Sequence, residues 1–221
     1  MASPHSDDDS PSMDPDPVTT VMASILPQFT ETGFELRSTP PDIHERLSAA
    51  YAAGLPDATR EGSDPIYLTT GDPDFIDIGA LAYEIGAELQ EIHESWSKQA
   101  LELVAAYGIR TYRRGQVLRR HCDRVDTHVI SSIIHIDHES DEPWPLHIED
   151  HDGVEHRVSL EPGQMLLYES ATCPHARPTP FPGEHYGSLF VHFKPLEGWE
   201  FTPEDIHRAV RELEQDATTT P

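Results

Sequence analysis

Turn residues divide the stretch from 108 to 195 into short runs rich in β-branched and aromatic side chains. The runs fall at 109–112, 116–120, 128–136, 146–148, 155–160, 164–168 and 186–193, with one more around His175. Asp152-Gly153 is a strong hairpin signal between two of them, and Glu161-Pro162-Gly163 turns into the next. Many short strands at regular spacing predict a β-sandwich or barrel.

Helical signals lie outside that stretch. Thr39-Pro40-Pro41-Asp42 places proline at a first helical position, and Ile43, Leu47 and Ala50 share one face before Gly54 and Pro56 end the pattern. A longer helix is predicted from Asp72-Pro73, with Phe75, Ile78, Leu81, Ile85, Leu89, Ile92 and Trp96 as a stripe that packs on a sheet. Thr202-Pro203-Glu204-Asp205 resembles a capping box that opens a last helix, with Ile206, Val210 and Leu213 on its buried side. The expected organisation is a disordered acidic tail (1–17), a helical supporting segment (18–106), a β core (107–195), a C-terminal helix (196–214) and a disordered end (215–221). The fold class is α+β with a mainly β core and helices gathered on one sheet.

Forty acidic residues face 15 basic ones, for a net charge of −25. Only Lys98 and Lys194 are lysines. Such a chain lacks the basic face that nucleic acid requires. Acidity with arginine in place of lysine reads as adaptation to high salt, where self-repulsion is screened. The start shows no basic-then-apolar leader and no run long enough to span a bilayer, so a cytoplasmic protein without a membrane partner is expected. Cys122 and Cys173 are then expected as reduced thiols.

The chemistry centres on Arg119-Arg120-His121-Cys122-Asp123. In extended backbone, residues i and i+2 point the same way, so His121 and Asp123 can reach one metal ion while Cys122 faces away. With a distant histidine they form two imidazoles and one carboxylate on one face, which leaves positions open for a cosubstrate and oxygen at a non-heme iron. A second triplet, His135-Ile136-Asp137, stands inside an apolar run and reads as strand with a hydrogen-bonded imidazole. His121 instead stands where a strand meets polar sequence, where functional side chains concentrate. Among 14 histidines, His147, His151 and His156 crowd the Asp152-Gly153 turn with Glu149, Asp150 and Glu155, and read as a polar hairpin. His175 follows the apolar strand Met165-Leu166-Leu167-Tyr168 and precedes Ala176-Arg177-Pro178.

These segments resemble the prolyl 4-hydroxylase-like branch of the 2-oxoglutarate/Fe(II)-dependent oxygenases. The leading pattern of tyrosine, glycine and His-x-Asp stands as Tyr112, Gly115 and His121-Cys122-Asp123. The closing Pro-Gly turn, apolar strand and histidine stand as Pro162-Gly163, the run to Tyr168, and His175. The resemblance implies a double-stranded β-helix (jelly-roll, cupin-like), with the first ligand pair ending the second strand and the distal histidine on the seventh. The strand reading places four strands between Asp123 and His175, as that fold requires, and three if counted from Asp137. The resemblance also implies Fe(II) on His121, Asp123 and His175, 2-oxoglutarate as cosubstrate, and O2. The implied reaction hydroxylates a C–H of a small-molecule or peptidyl substrate and releases succinate and CO2. A cupin-type metal barrel without 2-oxoglutarate chemistry is the alternative, and a β-sandwich interaction module is a third reading.

The family anchors the cosubstrate's far carboxylate with a lysine or arginine on the eighth strand, where this chain has His185. His185 and Arg177 are equal candidates for that anchor, with Lys194 behind them, and Tyr112 matches the family tyrosine that also contacts the carboxylate. Arg110, Arg113, Arg114, Arg119, Arg120 and Arg124 form a basic cluster that either attracts a dianion or pairs with surrounding acids. Trp144 reads as a packed loop aromatic or as part of a substrate entrance.

Overall fold

Alternation along the long strands sets the architecture of the computed structural model, which describes residues 17–61 and 68–219. In chain order the elements are α1 (Pro17–Ile25), β1 (Phe34–Ser38), α2 (Pro41–Gly54) running into a 3-10 turn (Leu55–Asp57), β2 (Thr59–Arg60), β3 (Asp74–Ile76) and α3 (Ala80–Ser97). There follow β4 (Leu101–Arg113), β5 (Leu118–His121), β6 (Ile130–Glu139), β7 (Leu146–Glu149), β8 (Glu155–Val158), β9 (Gln164–Tyr168), β10 (His175–Arg177), β11 (His185–Pro195) and α4 (Pro203–Thr219).

The strands form two sheets, ordered β1-β9-β6-β11-β4-β3-β2 and β5-β10-β7-β8, and every pairing is antiparallel. Of the eight strands from β4 to β11, the larger sheet takes β4, β6, β9 and β11 and the smaller takes β5, β7, β8 and β10, the division of a double-stranded β-helix. The pleat divides the core. Ile134, Met165, Leu167, Leu189, Val191 and Phe193 face outward and join Ile43, Leu47, Ile85 and Leu89 of the helices. Ile133, Leu166 and Tyr168 face inward and meet Leu146 and Ile148 of the smaller sheet. Tyr112, Trp144, Phe181 and Tyr186 close one end of the sandwich. Each fully buried leucine contributes about 1.5–3 kcal/mol, so the helical layer holds the large sheet rigid behind the site.

Three local expectations change. The stripe expected as helix from 72 begins as β3, which pairs Phe75 with Arg110 of β4. Gly79 then adopts φ +56°, a conformation closed to most side chains, and only there does α3 begin. On α2 the third buried residue is Tyr51, while Ala50 is only partly covered. The last helix continues to Thr219, through residues expected to be disordered, and Leu213 is 54% exposed. Its capping box forms: the Thr202 hydroxyl accepts from the Asp205 amide at 3.3 Å, and the Asp205 carboxylate accepts from the Thr202 amide at 3.0 Å. The disorder expected for 1–16, 220 and 221 lies outside the described residues. Both cysteines are free thiols, and no described helix is long and apolar enough to cross a membrane.

Candidate metal centre

β5 ends at His121 and β10 begins at His175, and these two residues are directly paired across the smaller sheet. Opposite residues of an antiparallel pair present their side chains on one face. The two imidazoles therefore lie together, with ring centroids 4.3 Å apart. Asp123 follows two residues after His121, its amide held by the Ser170 carbonyl at 2.8 Å. One ligand atom from each of His121, Asp123 and His175 lies within 4.8 Å of the other two. The ion-pair distances to Asp123 Oδ1 are 3.5 Å from His121 Nε2 and 3.9 Å from His175 Nε2.

Hydrogen bonding decides which nitrogen is free. His121 Nδ1 donates to the Arg119 carbonyl at 2.8 Å, and His175 Nδ1 donates to the Cys173 carbonyl at 3.0 Å. A carbonyl oxygen can only accept, so each Nδ1 carries a proton, and in the neutral form of each ring the free lone pair is on Nε2, turned toward Asp123. Burial lowers the His175 pKa to about 4, so the ring is neutral near pH 7. Burial alone would raise the Asp123 pKa. Interaction with the surrounding imidazoles of His121, His175 and His192 outweighs it and holds the group ionised, below the ordinary carboxylate value. Lone pairs thus face one another with no proton to share, an arrangement that a divalent cation resolves and that suits iron(II).

Two further residues brace the carboxylate. Tyr168 donates to Asp123 Oδ2 at 3.4 Å and sits edge-on to His175. His192 lies 3.9 Å from Oδ2. The tautomer of His192 follows from a relay. Ser170 donates to the His128 carbonyl, so Ser131 must donate to Ser170 at 2.6 Å, and His192 Nδ1 must donate to Ser131 at 2.8 Å. Sequence reasoning missed His192. The signal was the alternation of β11, whose odd positions Leu189, Val191 and Phe193 are apolar and outward, leaving the even positions for the interior.

The triad opens into a cavity of about 440 Å³ between the sheets. Apolar wall comes from Phe75, Leu118, Ile133 and Phe190, and polar groups from Glu61, Arg110, Tyr112, His128 and His192. Tyr112 is thus one of the lining residues. Arg177 and His185 do not line the cavity. Arg177 is buried between the Trp144 and Tyr186 rings, 4.5 Å from each centroid, and donates to the Tyr186 hydroxyl and the Trp144 carbonyl. His185 stands at an odd, outward position of β11, near Tyr51 of α2 and within 3.7 Å of Asp137 and Glu139. His135 is fully buried, bonded to the Gly187 carbonyl and to His138, away from the triad. His147 and His156 pair with Glu155 and Asp150 on the hairpin, while His151 reaches inward to Glu169. Five of the six clustered arginines pair with acids, and Trp144 is 4% exposed within its aromatic cluster.

No protein-family model and no curated protein matches the chain. Solved structures do. A prolyl-4-hydroxylase from Pseudomonas putida aligns with TM-score 0.57 at 18% identity, over 80% of this chain and 98% of that one. The fold is that of the 2-oxoglutarate/Fe(II)-dependent oxygenases. A prolyl hydroxylase of Trichoplax adhaerens, in complex with a hypoxia inducible factor peptide, aligns with TM-score 0.57 at 12% identity, over 80% and 90% of the two chains. HygX from Streptomyces hygroscopicus, with nickel, 2-oxoglutarate and hygromycin B bound, aligns with TM-score 0.55 at 13% identity, over 77% and 85%. β5 and β10 are the second and seventh strands of the β-helix; His121 ends the second, Asp123 follows it, and His175 opens the seventh.

Proposed function

We propose that this protein is an Fe(II)/2-oxoglutarate-dependent oxygenase that hydroxylates a C–H bond of a small-molecule or peptidyl substrate and releases succinate and CO2. The observation that carries the reading is the convergence of two bare Nε2 lone pairs and an ionised carboxylate at the wall of a cavity. When bound, iron and 2-oxoglutarate supply the activation of O2 for C–H oxidation. The chain's own residues do the rest. His121, Asp123 and His175 hold the ion, and the carbonyls of Arg119 and Cys173 fix the two imidazole tautomers. Tyr168 helps keep Asp123 in place through its hydrogen bond to Oδ2. Tyr112 offers a hydroxyl to a bound carboxylate, and the apolar wall limits water at the reacting centre. The acidic composition accords with a cytoplasm of high salt content.

A cupin-type metal barrel without 2-oxoglutarate chemistry is favoured by one observation, the lack of arginine or lysine from β11 among the cavity-lining residues. One experiment separates the two readings. Oxygen-free protein with Fe(II) is titrated with 2-oxoglutarate, and a weak visible charge-transfer band is expected. His121→Ala and Asp123→Ala lose the band while keeping the fold, and His135→Ala keeps it. A folded wild-type protein that binds iron but gives no band removes the oxygenase reading.

A further inference from the structure

The cavity contains a carboxylate clamp that is already closed on a carboxylate. Arg110, on β4, lines the cavity and grips Glu61 through two parallel bonds, Nε to Oε2 and Nη2 to Oε1, each 2.7 Å. This is the forked geometry with which arginine recognises a free carboxylate ligand. Tyr112 stands two residues along the same strand, so its side chain shares the face of Arg110, and its phenol lies beside the guanidinium. Phe190 forms the floor, its ring centroid 5.5 Å from the Arg110 Cζ. The other cation on the cavity wall is Arg124, which is 69% exposed at the mouth and paired with Asp126. Arg177, His185 and Lys194 are not among the lining residues.

We propose that Arg110, from the first strand of the β-helix rather than the last, is the anchor for the far carboxylate of 2-oxoglutarate, and that Glu61 occupies that clamp in the ligand-free protein. Resting on the oxygenase reading, this assigns its cosubstrate subsite to residues that the sequence resemblance does not indicate. Glu61 and the ligand carboxylate then compete for the same two N–H donors, so the protein's own side chain sets the cosubstrate affinity. Tyr112 keeps its part as a neighbouring hydroxyl.

The test is calorimetric titration of 2-oxoglutarate into protein loaded with Mn(II), with loading and fold checked beforehand by metal titration and circular dichroism. Arg110→Met is expected to weaken 2-oxoglutarate binding about 100-fold, the scale of losing a charge-assisted pair, and Arg110→Lys about 10-fold. Glu61→Gln, which leaves Arg110 in place, is expected to tighten binding about 10-fold by removing the competitor. It also serves where Arg110→Met does not fold. Metal affinity stays unchanged in all three variants. Wild-type affinity in Arg110→Met, or Glu61→Gln binding no more tightly than wild type, overturns the assignment while the oxygenase reading stands. Wild-type protein that takes Mn(II) but gives no heat with 2-oxoglutarate refutes both.

Discussion

Glu169 follows β9 and is 1% exposed, yet its carboxylate accepts four hydrogen bonds. Oε1 takes the Thr30 amide at 2.8 Å, the Thr30 hydroxyl at 2.6 Å and His151 Nε2 at 3.1 Å, and Oε2 takes the Phe29 amide at 3.0 Å. This knot fastens the segment before β1, and the hairpin residue His151, to the loop that leads to His175. Glu169→Gln preserves the shape but removes the charge from three bonds and turns an NH2 group toward the Phe29 N–H. Donors left facing one another in a buried site cost about 3–5 kcal/mol. That loss corresponds to a fall in melting temperature of about 10 °C for a domain near this size. Urea unfolding gives the free energy, and hydrogen exchange at the amides of residues 29 and 30 gives its location. Metal affinity should fall as well, because the loop from 169 to 174 also holds the Asp123 amide and the His175 ring. A loss below about 1 kcal/mol, with exchange at 29 and 30 unchanged, refutes the reasoning.

Other expectations follow from single groups. His93 is buried on α3 with its Nε2 unpartnered, and burial lowers its pKa to about 4. A histidine depressed below its unfolded value of about 6.5 leaves stability intact above that pH and removes it as pH falls toward 4, by about 3 kcal/mol in the limit; in His93→Leu the slope of stability against pH should flatten across that window, and an unchanged slope contradicts the assignment. A Cβ at Gly108 would stand 2.5 Å from Phe75 Cζ and 2.7 Å from the Ile76 carbonyl, so Gly108→Ala should push β3 off β4 and cost about 1–3 kcal/mol by urea unfolding. With a net charge of −25, the protein should melt at a higher temperature as KCl rises from about 0.1 M to about 1 M, where the screening length drops from about 10 to 3 Å; a falling melting temperature counts against the high-salt reading.

The sandwich was legible because its central strands are short runs rich in β-branched and aromatic residues and its turns carry glycine, proline and aspartate. β1 was not, because Phe34–Ser38 is an edge strand whose residues are all at least partly exposed, so no face dominates. β3 was hidden by arithmetic: Phe75, Ile78 and Leu81 fall at helical spacing, and only the backbone reversal at Gly79 separates the strand from α3. The triad's proximity could be anticipated, since His121 ends one strand, Asp123 follows it, and His175 opens the neighbouring strand of a recognisable pattern. The anchor could not, because counting residues from His175 reaches His185 without revealing which face the pleat gives it. Glu61 and Arg110 are 49 residues apart, and no local pattern connects them. They meet because β3 carries the segment before it along β4.

The central claim is that His121, Asp123 and His175 share one cation. Crystals grown without oxygen in the presence of Fe(II), measured on either side of the iron absorption edge, test it directly. The account predicts one anomalous peak within about 2.0–2.3 Å of both Nε2 atoms and an Asp123 oxygen, coordination distances typical of histidine and carboxylate ligands. A peak beside His135 or on the hairpin histidines, or none in protein that retains iron, would contradict it.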